Sequence, residues 1–381
     1  MAANNVLGII FSNANDEVIP ELTTLRTMGS IPFAGRYRLI DFPLSNMVNS
    51  GITKVGIVTH DNYRSLIDHI GTGKDWDLAR RNGGVILLPP FITAFDSPRA
   101  NKLYTTRLEA LMGVMEFINN CSEELIVLSD SDVVCNMDLR DVIDRHEKTG
   151  ADVTLVVREK NITDSEKRGT NSIVISDGDG NIKEFIENRA AAEGSYDVSM
   201  NILVITKSFL LALLNNSIAH GLKGFYSQAL PFFFGRAVYK IYRYEGYCAE
   251  IGDLSKYFSA NMQLLCEDIR DELFANKERP LLTKVRNTPP TRYGENAKIS
   301  NSLIADGCVI DGTVENSILF RGVHVKKGAV IKNSILLQDT WAGENVSLNC
   351  VISDKNVFVK DGVTLCGHET MPFYIAKGKT I

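Results

Sequence analysis

The sequence has little of what marks several common protein classes. Basic residues are not in excess: 41 Lys and Arg stand against 46 Asp and Glu, a formal net charge of −5. A nucleic-acid partner is therefore not expected, and no long block of one charge suggests a solvating tail. No apolar run approaches the roughly 20 residues needed to cross a bilayer, so no membrane partner is expected. The opening stretch MAANNVLGIIFSNAND has a short apolar run with no basic residue before it, unlike a secretory signal. The seven cysteines (Cys121, Cys135, Cys248, Cys266, Cys308, Cys350 and Cys366) are odd in number, and none forms a CxxC pair. Neither a disulfide frame nor a cysteine zinc cluster is indicated. A reducing compartment fits, and a cytoplasmic location is expected. His60, His69 and His146 lack ligand spacing as well.

What is present is an ordinary globular composition, 44% hydrophobic and 23% charged over 381 residues. That length allows two domains. Short β-branched runs, VLGIIF (6–11), KVGIVTH (54–60), ELIVLSD (124–130) and ADVTLVVRE (151–159), read as buried parallel strands. Helix-like stretches lie between them at 62–71, 106–120 and 139–150, the last stopped by Gly150. Alternation of this kind predicts an α/β fold with a mostly parallel sheet and ligands at the carboxyl ends of its strands.

After residue 295 the pattern changes. The phrases NSLI (301–304), NSIL (316–319), NSIL (333–336) and NCVI (349–352) recur at intervals of 15, 17 and 16. Aliphatic residues step by six: Ile304 and Ile310; Val325, Ile331 and Leu337; Val351, Val357 and Val363. A six-residue apolar step with glycines near the turns predicts a parallel β-helix, each coil burying the next one's apolar edge. A β-sandwich of short strands is the alternative. The expected organisation is an α/β domain over 1–276, a Pro-rich and charged linker over 277–295, and a β-helix over 296–381.

Three phrases, GRYRLIDFPLSNMVNSGI (35–52), GTGKDWDLARRNGGVILLPP (71–90) and GYCAEIGDLSKYFSANMQLL (246–265), carry a family resemblance. They resemble the bacterial ADP-glucose pyrophosphorylases, which are glucose-1-phosphate adenylyltransferases. The likeness covers nearly the whole chain. It implies a Rossmann-like, glycosyltransferase-A-like nucleotidyltransferase domain, a left-handed β-helix of hexapeptide repeats and a tetrameric assembly. It also implies a Mg²⁺-dependent reaction of ATP with glucose 1-phosphate. Such chemistry needs a backbone cradle for the triphosphate, cations on the leaving pyrophosphate and carboxylates for the metal.

The family's loop reads GGxGxRL, then LTxxRxKP. Anchored on Leu22, Thr23, Arg26 and Phe33, its paired glycines fall on Asn13 and Ala14, and its third on Asp16. Its Arg falls on Val18 and its Lys on Met28. Asn13, Ala14, Asp16 and Arg26 are thus a nucleotide-loop remnant, and Val18 and Met28 are degenerate catalytic positions. Asp16 and Glu17 put carboxylates where a polyanion would lie, which costs on the order of several kcal/mol where water is excluded. The alternative is that both point to solvent and another group replaces the Arg.

The remaining family sites are altered too. Asp130 and Asp132 straddle the position of one metal-binding Asp, with Ser131 between them, and Glu250 stands for the second. These three could hold Mg²⁺, or the aspartates could cap a turn. In the sugar-phosphate phrase Glu187 is kept, while Asn188 replaces a Lys beside Arg189. Ser199 lies in a second sugar phrase. The base-binding phrase becomes Thr106–Ala110, with bulk in place of its Gly. Arg26, Arg36 and Arg38 could receive a phosphorylated sugar effector or pair with carboxylates.

These losses fall on ligand positions, while scaffold phrases read intact. The expected function is a regulatory subunit of ADP-glucose pyrophosphorylase in glycogen biosynthesis. It would be feeble alone and joined to a catalytic paralogue in a heterotetramer, or homo-oligomeric by itself. The alternative is an active adenylyltransferase with an atypical loop. Restoring Val18→Arg and Met28→Lys is expected to separate the two. A third reading, an acyltransferase using His324 in the β-helix, leaves the first domain unexplained.

Overall fold

A computed structural model describes residues 5–13, 16–90, 104–163, 172–187 and 193–381, apart from the side chain of Glu187. A nine-stranded mixed sheet forms the first domain. One end runs Gly84–Leu88, Lys54–Val58, Val6–Phe11 and Leu125–Asp130, all parallel. The chain therefore leaves the central strand Val6–Phe11 in one direction and later returns on its other side. That reversal opens a crevice at the carboxyl ends of Val6–Phe11 and Leu125–Asp130.

Alternation along the central strand explains the layering. Leu7, Ile9 and Phe11 face one core, packed beneath the helices Arg107–Gly113, Met115–Asn120 and Lys207–His220. Val6 and Ile10 face the other, beneath Asp41–Asn49, Arg64–Ile70 and Leu139–Thr149. A strand buried on both faces must be apolar throughout. Gly8 admits the first of the second-face helices: a Cβ there would stand 2.5 Å from the Met47 sulfur. Leu139–Thr149 starts on the Asp138 carboxylate, which accepts from Arg140 N; its end at Gly150, in the left-handed region, is the one its sequence predicts.

Val153–Ile162 runs in the same direction as the central group, as expected, but is not adjacent to it. It pairs antiparallel with Gly194–Thr206 and parallel with Tyr239–Arg243. The 13-residue strand Gly194–Thr206 lies between it and Leu125–Asp130. Gly194–Thr206 is antiparallel to both neighbours, and this is what makes the sheet mixed there.

No helix or strand lies between Phe274 and Arg292. This linker is pinned rather than loose. Leu282 N donates to Ser45 Oγ at 2.9 Å, and Asn49 Nδ2 and Asn136 Nδ2 donate to the carbonyls of Pro280 and Arg279 at 3.0 and 2.9 Å. The β-helix starts with Arg292–Tyr293, inside the stretch expected as linker. Its three parallel sheets each hold five strands. The six-step aliphatics Ile310, Val325, Ile331, Val351 and Val357 fill its interior. Asn301, Asn316 and Asn333 turn the corners with φ of 39°, 45° and 44°. Asn301 Nδ2 bonds to Asn316 Oδ1 at 2.8 Å, which helps an L-residue hold that conformation. The fourth phrase is one residue out of step. Ile335 pairs with Ile352, and Cys350, not Asn349, takes the positive-φ corner at 53°.

The two domains share a core. Ile19, Leu22, Met28, Phe33 and Phe42 of the first pack with Ile318, Phe320, Ile335, Leu337 and Ile352 of the β-helix, and with Tyr257 and Leu264 of the helical stretch before the linker.

Candidate nucleotide and anion sites

The loop after the central strand is stitched to itself. Asn13 Oδ1 accepts from Ser12 Oγ, Thr59 Oγ1 and His60 N at 3.1, 2.9 and 3.0 Å. Its Nδ2 donates to Asp16 Oδ2 at 2.6 Å and to Asp61 O at 3.2 Å. Asp16 Oδ1 accepts the backbone N–H of Met28 at 2.7 Å. A carboxylate of the chain thus takes an amide of the phosphate-cradle region. Burial, with Asp61 nearby, pushes the Asp16 carboxyl up to about 7 against these hydrogen bonds. Val18 is partly buried against the shared core, and Met28 is wholly inside it. The position expected to carry a lysine ammonium is therefore apolar interior.

The carboxylates expected to bind metal do converge. Asp130 ends its strand, and Asp132 follows after Ser131. Glu250 is brought beside them because Ala249–Glu250 pairs antiparallel with Val133–Val134, while Ile251 N donates to Asp132 O at 2.8 Å. The loop is close too: a Cβ on Gly29 would stand 3.3 Å from Ser131 Oγ. Two of the carboxylates already face cations. Arg107 Nη2 donates to Asp130 Oδ2, and Lys160 Nζ lies 3.8 Å from Glu250 Oε2. Mg²⁺ requires near-octahedral oxygen ligation. Among the described residues no three His, Cys, Asp or Glu side chains form a metal cage. The groups present therefore do not fit a divalent ion as they stand.

Composition and spacing do not single out Arg107. The signal was the bulk that replaces a glycine in the base-binding phrase. Its guanidinium reaches into the crevice, 5.5 Å from the Phe11 ring and 5.4 Å from that of Tyr226. Nη1 donates to Tyr226 Oη at 3.0 Å, and Ser199 Oγ donates to the same oxygen at 3.2 Å. Ser199, expected in a sugar pocket, is thereby joined to the Arg107–Asp130 pair. Ala14, Asn188, Arg189 and the side chain of Glu187 lie outside the described residues.

The three arginines expected as one cationic group are split. Arg26 is buried and bonded to Asp354 of the β-helix, Nη2 reaching its two oxygens at 2.8 and 2.7 Å. It belongs to the domain junction and not to an open site, because Leu22 and its neighbours carry that turn into the shared core. Arg36 and Arg38 instead line a cleft between the domains that is partly open to solvent. Arg286, Arg321 and Lys355 add further cations, beside His69 and Gln338, and no carboxylate lines it among the described residues. Arg38 Nη1 donates to Ser65 O and Oγ at 2.6 and 2.9 Å, which fixes its guanidinium. Among the described residues, the buried nitrogens Nε and Nη2 of Arg321 have no hydrogen-bond partner, although Nε lies 3.9 Å from Asp306 Oδ2. Burial, with Arg38 and Arg26 nearby, lowers the Lys355 ammonium to about 7. The last three cations come from segments 250 to 320 positions along the chain from Arg36, so no local motif reveals them.

Two family models match the chain: "Nucleotidyl transferase" over residues 19–267 and "GlmU-like, C-terminal hexapeptide" over 288–370. The glycogen biosynthesis protein GlgD of Bacillus subtilis (strain 168) is 34% identical over 382 positions, spanning 99% of this chain and 97% of that protein. The glucose-1-phosphate adenylyltransferase of Fervidobacterium nodosum is 31% identical across 96% of this chain and 86% of its own length. That of Clostridium beijerinckii is 33% identical across 88% and 85%. The mixed sheet, the stacked hexapeptide coils and these likenesses agree: the chain belongs to the ADP-glucose pyrophosphorylase family of nucleotidyltransferases, which includes GlgD.

Proposed function

We propose that the chain is a regulatory subunit in glycogen biosynthesis, feeble as an adenylyltransferase alone, that tunes a catalytic ADP-glucose pyrophosphorylase paralogue within a heterotetramer. One observation carries this reading: Asn13 and Asp16 fill the phosphate loop with the chain's own amide and carboxylate, Asp16 holding Met28 N at 2.7 Å. A triphosphate would have to displace that carboxylate and then lie against it. The likeness to GlgD along 99% of the chain supports the same reading.

The interdomain cleft is the proposed effector site. Arg36, Arg38, Arg286, Arg321 and Lys355 suit a phosphorylated sugar, and the unbonded Arg321 nitrogens offer donors to it. Arg26 is not part of it. An anion there would touch Lys355, next in sequence to Asp354, which holds Arg26 and so the turn after the loop. Effector binding would then favour one arrangement of the two domains, which the partner reads through its subunit contacts.

The test is ADP-glucose formation by the purified chain, by the catalytic paralogue, and by both. Little product from the chain alone and more from the mixture than from the paralogue is expected. Robust turnover by the lone chain would sink the reading.

A further inference from the structure

We infer that Arg107 is the built-in cation of the crevice, standing at Asp130 where a divalent metal would otherwise bind. Asp130 is 1% exposed, so its charge needs a partner inside the protein. The position is the one where ligands of such sheets bind, since Phe11 and Asp130 are register partners at the ends of the two strands flanking the reversal. Arg107 reaches it from the first turn of the helix Arg107–Gly113. Four groups hold the guanidinium in place: the Asp130 carboxylate, Tyr226 Oη at 3.0 Å, and the rings of Phe11 and Phe225 at 5.5 and 5.9 Å. A cation seated among aromatic faces and a buried carboxylate is held by charge and quadrupole together.

Arg107 engages one oxygen of this carboxylate, Oδ2, while Oδ1 has no hydrogen-bond partner among the described residues, so an ion reaching Oδ1 would have to sit beside the guanidinium. A metal approaching Asp130 Oδ2 meets a fixed positive charge already bonded to that atom. Glu250, the second carboxylate, has Lys160 Nζ at 3.8 Å. Two of the three carboxylates of the crevice thus already face cations of the chain itself. This inference rests on reading the domain as a degenerate nucleotidyltransferase, but it does not require that the chain regulate a paralogue.

Mn²⁺ is the probe, with binding read from the loss of its free electron paramagnetic resonance signal. The wild-type chain is expected to bind it weakly. Arg107→Gln, which keeps a polar side chain between the rings, is expected to bind at least about ten-fold tighter, and Arg107→Gln/Asp130→Asn is expected to lose that gain. Tyr226→Phe, which only loosens the guanidinium, is expected to give a smaller gain and serves if the glutamine variant fails to fold. Wild-type binding as tight as that of the folded variants overturns the inference, as does a gain that survives Asp130→Asn. The paralogue assay on the wild type is separate. If stimulation is absent while Mn²⁺ binding follows Arg107, the regulatory reading fails and this one stands.

Discussion

Replacing Asp354 by leucine leaves Arg26 buried without its carboxylate. Arg26 is 3% exposed and Asp354 2%, so water cannot take the vacated place. Removing one partner of a buried pair costs about 3–5 kcal/mol. The two single losses are unequal here. Without Asp354, Arg26 is left with Arg38 and Lys355, whose ammonium it already depresses, so the cost should sit near the upper limit, about 5 kcal/mol. With Arg26→Met, Asp354 still accepts from Tyr374 Oη at 3.1 Å and Lys355 N at 2.7 Å, so the cost should sit near the lower limit, about 3 kcal/mol. In Arg26→Met/Asp354→Leu both charges go and apolar groups fill the junction. Such replacements are often neutral, and the double variant is expected within about 1 kcal/mol of wild type.

Urea unfolding provides the assay, and the two tryptophans localise it. Trp76 lies in the core of the first domain and Trp341 on the β-helix. Replacing either by Phe lets the other report one domain. With the shared core intact the two transitions should coincide, and in Asp354→Leu they should separate. If both single variants lose less than about 1 kcal/mol, or if the double variant is no more stable than Asp354→Leu, the junction does not depend on this pair.

Three further outcomes follow from particular side chains. Met28→Lys puts an ammonium into the wholly buried shared core; it should lower stability by at least about 3 kcal/mol and restore no ADP-glucose formation, which thermal melts and the product assay check. Asp16 titrates near 7 when folded against 3.8 in its ordinary state, so its ionisation opposes folding as pH rises from about 4 to about 7; at about 1.4 kcal/mol per unit the effect is at most about 4 kcal/mol, and Asp16→Asn should abolish it. Equal pH slopes in urea midpoints for wild type and variant would contradict this. In the cleft, Lys355 is charged below about 7 and neutral above, so sulfate, whose own charge is constant there, should bind several-fold tighter at pH 6 than at pH 8 by calorimetry, and Lys355→Met should remove the difference.

What was legible in the sequence was periodic or local. The six-residue step placed Val325 and Ile331 inside the β-helix, because each coil repeats one environment, whereas Leu337 faces the core shared with the first domain. The loss of Gly, Arg and Lys from the phosphate loop was readable because the phrase is short and contiguous. What escaped was set by distance or pairing. The antiparallel strand Gly194–Thr206 lies between Leu125–Asp130 and Val153–Ile162, and a run's apolarity does not report which strands flank it. The NCVI phrase imitates the NSIL corner while sitting one residue off it, since only backbone pairing defines the coil. Arg26 and Asp354 are 328 positions apart, and no local pattern joins them.

The positive charge of this chain therefore lies in a different place from the one its family phrases imply. Val18 and Met28 carry none into the phosphate loop, and Asp16 brings a carboxylate there. Arg107 enters the crevice but is committed to Asp130, so it offers no free charge to a nucleotide. Arg26 is spent on Asp354. Arg36, Arg38, Arg286, Arg321 and Lys355 instead line the cleft between the domains, where no carboxylate is among the described lining residues. A polyanion meeting this molecule gains more from that cleft than from the crevice, since Coulomb attraction grows as charges of one sign gather in a partly dry space. Under the proposed regulatory function, an anion site of this kind would be kept only if the anion reports to something beyond the chain. That expectation has a direct consequence: Arg321→Ala should weaken sulfate binding several-fold and reduce any effector response of the mixed assembly, while leaving assembly itself unchanged in size-exclusion chromatography. An effector response that survives Arg321→Ala and Lys355→Met together would place the effector elsewhere.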